Sequence, residues 1–318
     1  MARFICLAFA IVFFAAPIRA QDARTPSGNG PVDGSDRAKK QLQSDNYTVT
    51  WGTAAAFEPA AELEVGDGNG HGGTLGWVRF QPGKEGVDVL SIRFDEGWHP
   101  YNSKWPPDRA PVAVKRTRLK PDAYATLLRD LAVVDSATLK PVERNGFTSS
   151  SNNFWVYARL TTDKKTLIDL NWAGYEGNGH ELEFAKPRAA VRLSREAIKG
   201  LDFEEHTLTD WERAWASDKF AHDWKKFKGL DFHWWVRERY IETVGVVGDE
   251  AALPVLREIL AAQPPKGKPR ESSDERCVYY AINAVTRLAN KDVREKPVEE
   301  MDIEKTRLKV LDLIKDKK

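Results

Sequence analysis

Two four-residue segments of this chain are identical: Gly68-Asn-Gly-His71 and Gly177-Asn-Gly-His180. Each has an acid beside it, Asp67 before the first and Glu176 and Glu181 around the second. Brought together in space, His71, His180 and a carboxylate could ligate a metal or move protons, because imidazole titrates near neutrality and is a common metal ligand. The other reading is two surface turns, since Asn-Gly is a favoured tight-turn dipeptide. The turn reading is the one we expect, so no metal or other cofactor is assigned.

The second chemical candidate is DEGWHPYNSKW, residues 95–105. Asp95, Glu96 and His99 lie among Trp98, Tyr101 and Trp105. An aromatic-lined loop with acids suits a sugar or a peptide. Glycoside hydrolysis needs two carboxylates at a fixed separation, but adjacent Asp and Glu at a strand end usually point apart. Binding is therefore expected ahead of hydrolysis. Asp95, Glu96, Trp98, His99, Tyr101, His71 and His180 together form the candidate ligand-site set, and no residue is assigned as catalytic.

Other chemistry lacks its signature. The chain has no HExxH, GxSxG, glycine-rich phosphate loop or CxxC. His206, His222 and His233 are not spaced four apart as a metal-binding helix needs. Lys225-Lys-Phe-Lys228 is diluted by Asp218 and Asp223, which suits a solvated helix face better than a nucleic-acid contact.

Residues 1–20, MARFICLAFAIVFFAAPIRA, have the layout of a secretory signal peptide: Arg3, an apolar run from Phe4 to Ala16, then Pro17 and Ala20 before Gln21. The run is shorter than the roughly 20 residues that span a bilayer. The expectation is export, to the periplasm or beyond. Losing Arg3 and Arg19 and no acid would move the formal charge from +1 to −1. A chain so near neutrality has no general attraction for nucleic acid or anionic membranes. Cys277 would be the one cysteine left, which excludes an internal disulfide framework. It stands at the start of an apolar helical stripe and reads as a small buried hydrophobe.

Residues 21–45 are rich in Gly, Pro, Ser, Asp and Lys, without periodicity, and read as a disordered leader. Residues 46–190 mix both periodicities. Strands are expected at Tyr47–Trp51, Leu75–Phe80, Val87–Phe94, Val112–Leu119, Phe154–Leu160 and Lys165–Trp172. Val89, Ser91 and Arg93 alternate with Leu90, Ile92 and Phe94, which predicts one buried and one exposed face. Pro121 opens a helix to about Val134, with Tyr124, Leu127, Leu128 and Leu131 on its apolar side. This order suggests an α+β domain, a helix packed on an antiparallel sheet. Residues 191–230 read as a helical junction, with a short helix from a Ser194 cap to Lys199 and a second from near Thr209 carrying Trp211 and Trp215.

Residues 231–318 are mainly helical, with a Pro-, Lys- and Ser-rich loop expected from Gln263 to Asp274. Val236, Tyr240, Val244 and Val247 share a helical face, and Cys277, Ala281, Val285 and Leu288 repeat it at a constant offset of 41. Gly245, Gly248 and Asp249 mark a corner, and Pro254 sits early in the next helix, where it costs little. A last helix is expected over about 299–315. The segment resembles HEAT or armadillo-type repeats, with paired antiparallel helices of about 40 residues per unit. The resemblance implies a short α-hairpin stack that presents a surface to a protein partner, and it is silent about chemistry. With so few pairs, the stack must lean on the α+β domain to hide its apolar stripes. The expectation is an exported, non-catalytic interaction or envelope scaffold protein. The alternative is a hydrolase or a carbohydrate- or peptide-binding protein using the aromatic loops.

Overall fold

The computed structural model describes residues 36–42, 47–69, 74–94, 112–141, 153–175, 181–227, 234–263, 272–291, 293 and 302–316. Among these, one antiparallel sheet of seven strands runs through the molecule in the order β8-β7-β2-β3-β4-β5-β9. Its strands are β2 (Glu62–Asn69), β3 (Thr74–Gly83), β4 (Gly86–Phe94), β5 (Val112–Leu119), β7 (Asn153–Thr161), β8 (Thr166–Tyr175) and the short β9 (Glu204–Glu205). β1 (Tyr47–Thr50) and β6 (Thr138–Pro141) pair separately. The fold is mixed α+β, an antiparallel sheet with packed helices.

Both faces of the sheet are covered. Leu63, Val65, Phe80, Val89, Ala158 and Leu160 pack against α1 (Asp36–Leu42), α2 (Pro121–Ser136) and α3 (Glu181–Ala197). Leu75, Trp77, Ile92, Trp155 and Tyr157 pack on the other side against α4 (Asp210–Phe227), α5 (Trp234–Val247), α6 (Leu253–Ala261), α7 (Ser272–Leu288) and α8 (Ile303–Leu313). The alternation in β4 therefore does not separate a wet from a dry face. Val89 is as buried under α2 and α3 as Ile92 is under the later helices.

The helices form where apolar spacing and end chemistry agree. In α2, Tyr124, Leu127, Leu128 and Leu131 are buried, Pro121 occupies the first turn, and Tyr124 Oη donates to the Ala61 carbonyl at 2.6 Å. α4 begins in a capping box. The Thr209 Oγ1 accepts from Glu212 N at 3.3 Å, and Glu212 Oε2 accepts from Thr209 N at 2.7 Å. The helix expected from Ser194 is corrected. α3 starts at Glu181, and Ser194 lies inside it, donating to the Ala190 carbonyl at 2.8 Å. Pro187 within α3 removes one backbone donor. Its neighbours Phe184, Ala189, Ala190 and Leu193 are buried against the sheet, and this packing holds the helix. Gly200, with φ +81°, takes the left-handed turn beyond it.

α5 and α7 lie side by side in the same sense. Arg276 pairs with Glu238 at 2.8 Å, Arg287 pairs with Glu242, and a Cβ on Gly245 would fall 2.5 Å from Ala284 Cα. These contacts join residues 38 to 45 positions apart, N-terminal half to N-terminal half and C-terminal half to C-terminal half, so the two helices run in one direction. Cys277 is buried in this contact layer. No described helix is long and apolar enough to cross a membrane.

A buried polar cluster fastens α4 and α5 to the sheet. Asp223 Oδ2 accepts from Lys219 Nζ and from Tyr240 Oη, each at 2.5 Å, and Arg159 of β7 lies 3.7 Å from Asp223 Oδ1. Trp215 Nε1 donates to Glu64 of β2 at 2.5 Å. Lys219 Nζ stands 3.8 Å from the centre of the Tyr157 ring, a cation–π contact out of water. Arg79 of β3 lies over both Trp211 and Trp215, so the two tryptophans share one side of α4.

Candidate functional site

The functional set drawn from sequence, His71, Asp95, Glu96, Trp98, His99, Tyr101 and His180, lies outside the described residues. The strand ends that flank those segments are described, and they share one end of the sheet. Asn69 pairs with Thr74 and with Phe154, Phe94 pairs with Val112, and Asn153 pairs with Tyr175.

At that same end the sheet carries a cavity of about 300 Å³. Its floor is set by register. Asp67 of β2 faces Gly76 of β3, which faces Arg93 of β4; one row deeper, Val65 faces Val78, which faces Ser91. Alternation points both rows to the side covered by α3. The roof is Val191 and Arg195, with Ile198 just beyond the helix, at spacings of four and three that share one helical face. Gly76 keeps the middle of the floor open. A Cβ there would have Ile92 O at 3.8 Å and Asp67 Oδ1 at 3.9 Å as its nearest neighbours, ordinary contact distances.

Arg195 Nη2 donates to Asp67 Oδ1 at 2.5 Å. Burial pushes the Asp67 carboxyl above its ordinary 3.8, and the charges of Arg195 and Arg93 with the Arg195 hydrogen bond pull it back only in part. A carboxylate perturbed by desolvation plus specific charge partners, inside a cleft, marks a functional-site candidate. The arrangement can hold a polar or charged group against the guanidiniums. Among the described residues it sets arginines beside Asp67, where glycoside hydrolysis would need a second acid. Nor do His, Cys, Asp and Glu side chains gather there into a set of three that could hold a metal, again among the described residues.

Sequence reasoning reached Asp67 only as the neighbour of a Gly-Asn-Gly-His turn. Ser91 and Arg93 stood on a face expected to be exposed, and Arg195 carried no signal. One pattern held the information: Val191, Arg195 and Ile198 share one helical face, with the arginine between two apolar residues. His206, set aside for its spacing, bonds Glu212 at 2.9 Å at the start of α4 and is structural.

In comparisons with known proteins, no family model, no curated protein and no solved structure matches this chain.

Proposed function

We propose that this is an exported binding protein that takes a small ligand in the cavity between β2, β3, β4 and α3, with no chemistry of its own. One observation carries the reading: the Asp67–Gly76–Arg93 row under Arg195, where a missing side chain leaves room beside a perturbed carboxylate and two guanidiniums. The convergence of the strand ends that flank the aromatic and Gly-Asn-Gly-His segments supports the same end of the molecule. The helices α4–α8 serve as a backing layer that stiffens the sheet from its other face.

The test is a thermal-shift screen of the full chain against a small-molecule panel, run beside Gly76→Leu. A ligand at a hundred times its Kd stabilises by about 2.7 kcal/mol, enough to move a melt by several degrees. Compounds that shift the parent and leave Gly76→Leu unmoved support the reading. Shifts retained in the variant, or none across the panel, overturn it.

A second reading keeps the helical layer as a HEAT-like stack that docks a protein partner. It is favoured by the offset of about 40 residues that joins α5 to α7 in the same sense. Only Trp211 and Leu308 stand out as exposed large hydrophobics among the described residues, so such a partner would meet a mainly polar surface. In-cell crosslinking of the exported protein tests it, and a partner that also crosslinks to a chain ending at residue 230 would sink it.

A further inference from the structure

The cavity contains enough chemistry to name the class of its ligand, and this step rests on the binding reading above. Among the described residues, the cavity is lined by two guanidiniums, Arg93 and Arg195, and one carboxylate, Asp67, which already accepts from Arg195 at 2.5 Å. A cationic ligand would meet the Arg195 guanidinium and a carboxylate that is already engaged. Arg195 uses one nitrogen on Asp67. Its planar fork carries five N–H donors, so the carboxylate fixes the orientation of the others and leaves them for a second acceptor. Ser91 brings a hydroxyl to the floor, in the row next to Asp67.

The remaining surface is apolar. Val65 and Val78 on the floor and Val191 on the roof are aliphatic. A volume of about 300 Å³ is at the small end for ligand cavities, room for a short chain or one ring. A strongly hydrated polyanion would be set against these aliphatic walls and lose its water. A monoanion with a hydrocarbon body matches both halves of the site.

We propose that the cavity binds a small monocarboxylate, its anionic end on the outward donors of Arg195 and its hydrocarbon body between the β2–β4 floor and α3. Asp67 acts as a positioning residue for Arg195. It fixes the guanidinium before the ligand arrives, which reduces the ordering cost of binding.

The experiment uses the full chain and three probes with one body and different heads: hexanoate, hexan-1-ol and hexylammonium, titrated by ligand-observed NMR at pH 7. Acetate, octanoate and benzoate extend the carboxylate arm. Expected is binding of at least one carboxylate, with the alcohol about tenfold weaker or worse, as loss of a charge-assisted hydrogen bond implies, and no binding of the ammonium. Arg195→Gln should bring the preferred carboxylate down to the affinity of its alcohol while leaving the alcohol unchanged. A merely structural role for Arg195 would weaken both alike. Gly76→Leu, whose side chain would enter the cavity, should abolish all binding, and its thermal melt checks that it folds. Alcohol and carboxylate binding equally, both lost in Gly76→Leu, would overturn the carboxylate class and leave the cavity as a binding site. No carboxylate binding would overturn the carboxylate class alone, and probe binding indifferent to Gly76→Leu would overturn both.

Discussion

Arg195 Nη2 and Asp67 Oδ1 meet at 2.5 Å across 128 positions of sequence, and the pair ties the last turns of α3 to the open end of the sheet. Asp67 is only 23% exposed while Arg195 is 54% exposed, so the acid loses more water than its partner. The ion pair consequently does not return the carboxyl to its ordinary range; desolvation outweighs Arg195 and Arg93.

That imbalance predicts a pH signature. A carboxyl whose folded value is raised favours the native state below its unfolded value near 3.8, and the advantage is lost as pH rises through the folded value. Asp67→Asn, which has no charge to desolvate, should be more stable than the parent at pH 7, and the difference should shrink toward pH 3.5. Urea melts at several pH values measure it. A variant less stable at pH 7 than at pH 3.5, relative to the parent, would mean that the Arg195 pair dominates.

The cluster at Asp223 is predicted to behave oppositely. Burial works against its charge, but Lys219, then Tyr240 and Arg159, outweigh burial and hold the carboxyl below 3.8. Its contribution is therefore present above the unfolded value and lost as pH falls through the folded one. Lys219 is 1% exposed and has Asp223 at 2.5 Å. Asp223→Asn would leave that ammonium buried beside a neutral amide, which costs roughly 3–5 kcal/mol. Tyr240→Phe removes one hydrogen bond to a charged acceptor and should cost about 1.5–3 kcal/mol. Equilibrium denaturation of both variants checks the order, and equal losses would contradict it.

Sequence disclosed the elements whose patterns are local. The β3–β4 and β7–β8 hairpins followed from alternation broken by turn residues, and α2 from Pro121 with its leucine spacing. β2 was not found, because Gly66 and Gly68 with Glu62, Glu64 and Asp67 leave few side chains to alternate. Those charges are accommodated only in three dimensions, by Arg79, Trp215 and Arg195. Ser194 reads as a helix cap, yet it lies inside α3 with its hydroxyl on the Ala190 carbonyl, and burial of Phe184 and Leu193 holds the helix across Pro187. The cavity depends on a register that sets Asp67, Gly76 and Arg93 in one row and on a helix more than a hundred residues later. No local pattern encodes such an arrangement.

Two glycines separate packing from open space and give the last prediction. A Cβ on Gly245 would sit 2.5 Å from Ala284 Cα and 2.7 Å from its Cβ, inside the contact between α5 and α7. Helix backbone cannot yield as a flexible side chain does, so Gly245→Ala should force the two helices apart and cost about 1–3 kcal/mol, despite the better helix propensity of alanine. Gly76→Ala adds the same methyl where nothing approaches within 3.8 Å. Alanine also reduces the conformational freedom of the unfolded chain, so this variant should be neutral or more stable by a few tenths of a kcal/mol. Parallel urea melts decide it. A Gly245→Ala protein as stable as its parent would show that α5 and α7 can separate freely, and the close, same-sense packing of these helices would then not be a fixed part of the fold.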